Sequence, residues 1–423
     1  MNLPMPSAPD LEPVLSRLIH EGDGIGQGSV EQLVPELLRA IRSHLGMEVA
    51  FVSQFRAGRR VYRYVDAGPE VHWIRVGDSD PLESTYCQRV VDGRLPGLMR
   101  DAQAVAAARE IDMTTQMRVG SHLSVPIRLL DGHVYGTFCA FSRHADPSLN
   151  PRDLAVMRLF ADITAGLVEK DLKLDREAAA MRQRITAALD GGLSMVYQPI
   201  VRLGSGTIVG FEALARFAAL PLRSPDLWFG EAELVGLRDA LELCALKGAL
   251  AVLGRLPADV YVACNLSPET LVEGRFGALL GDMPLDRVVL EVTEHAAVRD
   301  YVELASVLAP WRARGLRLAV DDAGAGYSSF RHIVMLMPDL IKLDMSLTRA
   351  IDTDIARRAL AAALMRYAQE TGSELIAEGV ETRAELDALR ALGVDKVQGN
   401  LLGEPVGADG AARLCARGYL TDG

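Results

Sequence analysis

The stretch LSMVYQPIVRLGSGTIVGF, residues 193–211, decides the fold of the C-terminal half of this chain. It holds two apolar runs, Leu193–Ile200 and Thr207–Phe211, which are separated by the short turn Leu203–Gly206. A parallel pair of strands needs a crossover of about a dozen residues or more, so this turn predicts an antiparallel pair. Six more short apolar runs follow and alternate with helical stretches: Val260–Cys264, Val288–Val292, Leu316–Val320, Leu340–Leu343, Glu374–Ala377 and Val394–Val397.

Strands that alternate with helices in this way are typical of a closed α/β barrel. The predicted fold class of this half is therefore a TIM-like α/β barrel in which one strand runs antiparallel. Barrels of this type place their active sites at the carboxyl ends of the strands, so polar residues there are the first to examine.

The composition is that of an ordinary folded protein with an acidic surplus. Of the 423 residues, 49% are hydrophobic and 24% are charged, which is outside the range of disordered chains. This length predicts two or three domains. With 45 basic and 56 acidic residues the net charge is −11, which argues against binding to nucleic-acid polymers or to anionic membranes.

The cysteines and the absence of long apolar runs indicate a reducing compartment. No CxxC pair and no zinc-type cluster occurs in the sequence, so the cysteines are predicted to be reduced thiols. They are Cys87, Cys139, Cys244, Cys264 and Cys415. No stretch approaches about 18 continuous apolar residues, so we expect a cytoplasmic protein without a membrane segment.

The N-terminal half has the pattern of a smaller α+β domain. Apolar residues at helical spacing predict an amphipathic helix from Gly28 to Gly46. Alternating or continuous apolar runs then predict four strands: Glu48–Phe55, Arg60–Asp66, His122–Leu129 and Val134–Ser142. Asp131-Gly132 is typical of a hairpin turn between the last two.

A long helix is predicted between the two halves, from about Asp153 to Leu189. Its apolar stripe is interrupted at Lys170 and Asp171, so a kink or two stacked helices remain open. A signalling coiled coil and a merger of two domain-terminal helices are equally compatible with the pattern.

Polar residues fall at the ends of the barrel strands from the second strand onward. In chain order they are Glu212, Asn265, Glu291, Asp321, Asp322, Lys342, Glu378 and Gln398. The carboxylates cannot all stay ionised at one barrel mouth without compensating cations. Oxygen ligands without Cys or His suit Mg²⁺ or Mn²⁺, and adjacent aspartates allow one carboxylate to bridge two ions. The pattern therefore predicts a two-metal site of the kind that cleaves phosphodiesters.

These residues lie in motifs that resemble those of the EAL family of cyclic di-GMP phosphodiesterases. The resemblance covers about 240 residues and is carried first by Gly210-Phe211-Glu212-Ala213-Leu214-Ala215-Arg216. The other motifs are Tyr197-Gln198-Pro199, Asn265-Leu266-Ser267, Glu291-Val292-Thr293-Glu294, Asp321–Ser329, Asp339–Asp344, Glu378-Gly379-Val380-Glu381 and Gln398-Gly399.

The resemblance implies a role for each matching residue. It implies two metal ions, Mg²⁺ or Mn²⁺, held by Glu212, Asn265, Glu291, Asp321 and Asp322. Glu378 matches the general base, Lys342 a residue that orients the attacking water, and Glu294 one that holds the Asp321–Ser329 loop. The residues implied to contact substrate are Gln198, Glu212, Leu214, Arg216, Asp344 and Gln398.

The function implied is metal-dependent hydrolysis of cyclic di-GMP to linear pGpG, by a homodimer. Two departures from the family pattern, Ala323 in place of Phe and the segment Asn400–Glu404, leave the level of activity and the substrate affinity open. The alternatives are a receptor that binds cyclic di-GMP with little or no hydrolysis, and a scaffold that binds a protein partner.

The N-terminal half resembles a GAF domain, which implies a regulatory sensor. The resemblance rests on Thr85–Val91, His122-Leu123-Ser124-Val125-Pro126 and Tyr135–Cys139. Cys87 and His122 are compatible with a bilin anchor or a haem ligand, or with packed residues, so the GAF ligand stays unknown. The expected organisation is a tail over 1–27, a GAF-like domain over 28–170, a linker helix over 171–190 and an EAL domain over 191–423.

Overall fold

The computed structural model describes residues 30–219, 222–292, 298–324 and 327–417. The chain divides into two compact units, Met1–Glu177 and Ala178–Gly423. No helix in the described part of the chain combines the length and the apolar character that a membrane span requires.

The first unit is built on a six-stranded antiparallel sheet in the order β3-β2-β1-β6-β5-β4. Its strands are β1 Val49–Arg56, β2 Arg59–Ala67, β3 Ser79–Pro81, β4 Leu98–Met99, β5 His122–Arg128 and β6 Val134–Phe141. Its α-helices are Val30–Leu45, Tyr86–Val91, Ala106–Arg109, Asp112–Gln116 and Pro151–Ala187, of which the last continues into the second unit. The four predicted strands and the turn at Gly132 are confirmed, whereas the short strands β3 and β4 were not predicted.

Both faces of this sheet are covered, because successive side chains of a strand point to opposite faces. Ala50 and Val52 pack with helix Val30–Leu45 on one face. Val49 and Phe51 belong to a separate cluster on the other face. Each face therefore has its own apolar core.

Cys87 and His122 both lie inside the first unit. The exposed fraction is 0% for Cys87 and 3% for His122. The imidazole of His122 packs on the ring of Tyr86 with 4.6 Å between centroids. Burial and the nearby charge of Arg60 lower the pKa of His122 to about 3, so its ring is neutral at physiological pH.

The second unit is a closed eight-stranded barrel in the order β10-β11-β12-β13-β14-β7-β8-β9. Its strands are β7 Leu193–Arg202, β8 Thr207–Phe217, β9 Tyr261–Asn265, β10 Val288–Val292, β11 Arg317–Ala323, β12 Leu340–Leu343, β13 Glu374–Ala377 and β14 Lys396–Gln398. The α-helices around it are Pro225–Leu234, Arg238–Leu250, Pro268–Glu273, Gly277–Leu280, Tyr301–Arg312, Tyr327–Leu336, Met345–Thr348, Ile355–Thr371, Arg383–Ala391 and Ala408–Arg417.

One barrel strand runs antiparallel to its neighbours, as predicted. Strand β7 pairs in antiparallel register with β8 and with β14, and the remaining neighbours are parallel. The four-residue turn Leu203–Gly206 leaves no room for a crossover helix, which is the physical reason for the reversal.

The position predicted for Glu212 at a strand end is wrong. Strand β8 continues to Phe217, so Glu212 lies in its middle. The β7–β8 ladder extends to the pair Leu193 and Phe217, whereas β8 pairs with β9 only as far as Ala213. Glu212 thus lies near the carboxyl end of the parallel pairing between β8 and β9, and the β7–β8 hairpin continues beyond that pairing.

The long helix is a single element. It spans Pro151–Ala187 and runs through Lys170 and Asp171, where the sequence left a kink or a break open. The boundary between the two compact units falls inside this helix.

Substitution of Gly136 in β6 tests how closely strands β6 and β1 approach each other. A Cβ atom at this residue would lie 1.9 Å from the carbonyl oxygen of Ser53 in β1. We expect Gly136→Ala to lower the free energy of unfolding by about 1–3 kcal/mol, because the strands must separate to admit it. Urea unfolding followed by circular dichroism measures the change.

Gly166 provides the matched control, because a Cβ there meets no atom within 4 Å. Alanine is favoured over glycine inside a helix, so Gly166→Ala is expected to raise the free energy of unfolding by up to about 1 kcal/mol. Equal stability of the two variants would contradict the packing described for β1 and β6.

Candidate functional site

Strand alternation brings the polar residues of the barrel to one end of its interior. The apolar residues Val289, Ala319 and Leu340 belong to the inner core. Two positions later, in the same strands or directly after them, come polar residues on the same inward side. The pairs are Ala263 and Asn265, Val289 and Glu291, Ala319 and Asp321, Leu340 and Lys342, and Ile376 and Glu378.

The ammonium group of Lys342 lies at the centre of these side chains, with an exposed fraction of 0%. Its Nζ atom is close to four carboxylates. The distances are 2.7 Å to Glu378 Oε1, 2.9 Å to Glu291 Oε2, 3.2 Å to Asp321 Oδ2 and 3.4 Å to Glu212 Oε1. We call Lys342 and these four residues the acidic cluster.

Burial and electrostatic interactions between the side chains shift the pKa values of the acidic cluster. Burial raises the pKa of Glu291 and of Glu378 well above the usual value, and neighbouring carboxylates raise it further despite Lys342. The pKa of Asp321 is raised for the same reasons. Burial by itself would lower the pKa of Lys342, but the carboxylates outweigh it and raise that pKa well above its usual value. The lysine is therefore charged, and the carboxylates require more positive charge than it supplies.

Two amide side chains fix the orientation of Glu212, and a third contacts one of them. Gln398 donates from Nε2 to Glu212 Oε2 at 2.6 Å, and Asn265 donates from Nδ2 to Glu212 Oε1 at 3.3 Å. Gln398 also donates to Gln198 Oε1 at 3.1 Å. Because Asn265 uses its nitrogen on Glu212, its amide oxygen is the atom left for a cation.

The oxygen atoms of the cluster are suited to divalent cations. Potential ligand atoms of Glu212, Glu291 and Asp321 lie within 4.8 Å of one another, and so do those of Asp321, Asp322 and Glu378. The Oε1 atom of Glu291 is buried and has no hydrogen-bond partner among the described residues. A buried carboxylate oxygen without a donor is costly, and a hard cation is the natural partner for it. Asp321 belongs to both groups.

A local irregularity of β11 places the two adjacent aspartates. The pairing of β11 with β12 shifts register between Val320 and Ala323. Within that interval Asp322 has a φ of 54°, in the left-handed region that a non-glycine residue rarely adopts. Its backbone N–H donates to Asp321 Oδ1 at 2.9 Å. The irregularity allows both neighbouring carboxylates to serve one site, where regular alternation would separate them.

The other predicted site residues lie outside this set of contacts. The carboxylate of Asp344 caps helix Met345–Thr348 by accepting from the N–H of Ser346 at 2.8 Å. Leu214 is half-buried and Arg216 is exposed, and both follow Glu212 at two-residue intervals along β8. Glu294 lies outside the described residues.

Glu242 is a supporting residue that the sequence reasoning missed. Its side chain, 7% exposed, accepts from the backbone N–H of Ser267 at 3.0 Å and from the Ser267 hydroxyl at 2.8 Å. Ser267 caps helix Pro268–Glu273 and lies two residues after Asn265. The only signal in the sequence is a carboxylate on the apolar side of a helix, beside Leu241 and Ala245.

Two family models match the chain. The EAL domain model matches residues 180–405, and the GAF domain model matches residues 29–167.

Among curated proteins the chain resembles two cyclic di-GMP phosphodiesterases of Pseudomonas aeruginosa. It is 32% identical to PA2567 over 226 residues, and this alignment covers 51% of this chain and 38% of PA2567. It is 33% identical to NbdA over 239 residues, and this alignment covers 53% of this chain and 30% of NbdA. The chain thus spans about a third of the length of the curated relatives it matches.

A solved structure covers most of the chain. It is that of the EAL enzyme Bd1971 in a form with cAMP and cyclic di-GMP bound. Its TM-score is 0.54 at 18% sequence identity, and the match covers 87% of this chain and 93% of that one. At this identity the similarity shows the fold alone.

The contact of Glu242 with Ser267 predicts an effect on cation binding. We expect Glu242→Ala to weaken Mn²⁺ binding about 10-fold, because the segment that follows Asn265 loses its anchor at Ser267. Glu242→Gln keeps an acceptor oxygen and is expected to retain most of the affinity. Calorimetric titration of Mn²⁺ into each variant measures this.

Glu273→Ala is the matched control, since Glu273 is exposed on helix Pro268–Glu273. We expect its affinity for Mn²⁺ to equal that of the unmodified protein. An unchanged affinity of Glu242→Ala would show that Glu242 does not position Asn265.

Proposed function

The chain belongs to the EAL domain family, and from this premise we propose that its barrel hydrolyses cyclic di-GMP to linear pGpG. The observation that carries the proposal is the acidic cluster, in which four carboxylates surround the buried ammonium of Lys342. A phosphodiester cannot approach so many carboxylates unless cations reverse the local charge. The named activity of the Pseudomonas relatives supports the choice of substrate.

The residues proposed to hold two divalent cations, Mg²⁺ or Mn²⁺, all offer oxygen ligands. They are Glu212, Asn265, Glu291 and Asp321 for one cation, and Asp321 and Asp322 for the other. When bound, such ions supply Lewis-acid polarisation of the phosphoryl oxygens and of the attacking water. The two groups of ligand atoms that share Asp321 support this assignment, and so does the buried Oε1 of Glu291, which has no donor within the described part of the chain.

Glu378 and Lys342 are proposed to act on the attacking water. Glu378 accepts the proton as the water attacks phosphorus, the bond to the 3′ oxygen breaks in line, and that oxygen takes a proton from solvent to become the 3′ hydroxyl of pGpG. Lys342 holds Glu378 by the 2.7 Å ion pair and donates toward the water.

The substrate contacts are proposed along the hairpin and the neighbouring loops. Leu214 and Arg216 lie on the same side of β8 as Glu212 and project beyond the parallel barrel, where a nucleotide can lie. Arg216 offers a guanidinium to a phosphate. Gln198, Gln398 and Asp344 complete the set, and Glu294 is proposed to hold the loop that follows Asp321.

We also propose that the GAF domain regulates the barrel and that the protein forms a homodimer. The 37-residue helix that contains the boundary of the two units supports a regulatory link, because it joins them without a loop. Equilibrium sedimentation of the full chain measures the oligomeric state, and a monomer at micromolar concentration would contradict the dimer.

Turnover of cyclic di-GMP tests the catalytic proposal. The full chain is incubated with cyclic di-GMP and Mg²⁺ or Mn²⁺, and linear pGpG is quantified by chromatography. We expect Glu212→Gln and Asp321→Asn each to lower kcat on the order of 100-fold or more, because each removes a carboxylate ligand.

Asp387→Asn is the control, because Asp387 is exposed on helix Arg383–Ala391 and pairs with Arg390 at 3.0 Å. It is expected to keep full activity. Binding of cyclic di-GMP without pGpG under both metals would contradict hydrolysis and favour a receptor. If the protein neither binds nor hydrolyses cyclic di-GMP, the result would favour a scaffold for a protein partner.

Arg216 tests the placement of the substrate phosphate. We expect Arg216→Ala to raise KM roughly 10-fold or more with a smaller change in kcat, because a charge-assisted hydrogen bond to the bound nucleotide is lost. Steady-state kinetics measure both constants. Unchanged KM and kcat would place the phosphate away from the end of β8.

A further inference from the structure

Two cysteines of the first unit lie in direct contact inside its core. Cys87 is in the first turn of helix Tyr86–Val91, and Cys139 is on β6. Their Sγ atoms are 3.7 Å apart, and the exposed fraction of both side chains is 0%. A side-chain rotation that brings the sulfurs to about 2.05 Å would make a disulfide.

The two thiols have different surroundings. The buried guanidinium of Arg60 lies 3.6 Å from Cys87 Sγ through Nη1, and it also pairs with Asp80. Cys139 Sγ instead contacts the hydroxyls of Ser124 at 3.1 Å and Thr137 at 3.2 Å. The positive charge is therefore on the side of Cys87.

This asymmetry separates a thiolate from a thiol. Burial raises the pKa of Cys87, but the hydrogen bond from Cys139 and the charge of Arg60 outweigh it and lower that pKa to about 5. Burial and the neighbouring Cys87 raise the pKa of Cys139 well above its usual value. A thiolate beside a protonated partner is the arrangement in which one sulfur attacks an oxidant and the other resolves the product.

Two of the other cysteines, Cys264 and Cys415, have a different environment. Burial raises the pKa of Cys264 above its usual value, and the neighbouring carboxylates Glu291 and Glu212 raise it further. Burial also raises the pKa of the half-buried Cys415. Cys87 and Cys139 are thus chemically set apart from Cys264 and Cys415.

We propose that Cys87 and Cys139 form a peroxide-sensitive dithiol that closes to a disulfide. The Cys87 sulfur attacks one oxygen of hydrogen peroxide, the O–O bond breaks, and the departing hydroxide takes a proton to become water. The Cys139 sulfur then attacks the sulfur of the Cys87 sulfenic acid, the S–O bond breaks, and a second water leaves with the Cys139 proton. The sulfurs together lose two electrons, which reduce the peroxide.

Peroxide reaches the pair by local opening of the structure. Helix Tyr86–Val91, which carries Cys87, has only six residues. Asp80, the partner of Arg60, is 39% exposed in its side chain, so this ion pair reaches the surface. Short elements of this kind open more readily than the whole domain unfolds.

Peptide mass mapping tests the proposal on the full chain. The reduced protein is incubated with hydrogen peroxide, quenched in acid, alkylated and digested. We expect a cross-linked peptide pair containing Cys87 and Cys139, lighter by two hydrogens, which dithiothreitol separates. Cys244→Ser is the matched control and is expected to form the same cross-link. Alkylation of both Cys87 and Cys139 after oxidation, at any dose that leaves the protein folded, would overturn the proposal.

Single variants test the assigned roles of the two sulfurs. In Cys139→Ala the Cys87 sulfenic acid has no resolving partner, so a cyclic diketone such as dimedone is expected to label Cys87. In Cys87→Ala, Cys139 is expected to stay unlabelled, and equal labelling in both variants would refute the assignment. These readouts do not involve the barrel, so failure here is distinguishable from failure of the proposed hydrolysis.

Discussion

The burial of one ammonium group among four carboxylates is the interaction on which the second unit depends. Lys342 has no contact with solvent, and an unpaired ammonium there would cost several kcal/mol. Glu291 and Glu378 compensate it at 2.9 and 2.7 Å. The carboxylates exceed the lysine in charge, so the cluster that stabilises Lys342 also creates the demand for cations. Stability and the proposed chemistry therefore rest on the same contacts.

The reversed strand of the barrel contributes to this site in a way that a regular barrel could not. Because β7 runs antiparallel, Gln198 approaches the site two residues before the inner-core residue Ile200. It meets Gln398 of β14, which in turn holds Glu212. The same reversal lets the β7–β8 hairpin extend to Phe217, beyond the parallel pairing of β8 with β9. The departure from regular topology thus orients Glu212 and lengthens strand β8.

The first unit uses a comparable arrangement with different chemistry. Arg60 is 1% exposed, and it is compensated by Asp80 at the surface and by the sulfur of Cys87 inside. Four carboxylates around one lysine leave an excess of negative charge that suits divalent cations, whereas an arginine beside a thiol favours a thiolate. In both units a buried cation contacts the groups to which chemistry is proposed.

The sequence by itself determined the barrel, its antiparallel strand and the residue types of the acidic cluster, because two-residue alternation and turn length are local properties of the chain. The contacts that orient those residues were decided by the tertiary structure, because they join strands distant in sequence. Glu242 could not be recognised without the fold that brings it to Ser267, and the mid-strand position of Glu212 depends on a hairpin ladder longer than its apolar pattern. The contact of Cys87 with Cys139 likewise arises only when a helix packs on the sheet.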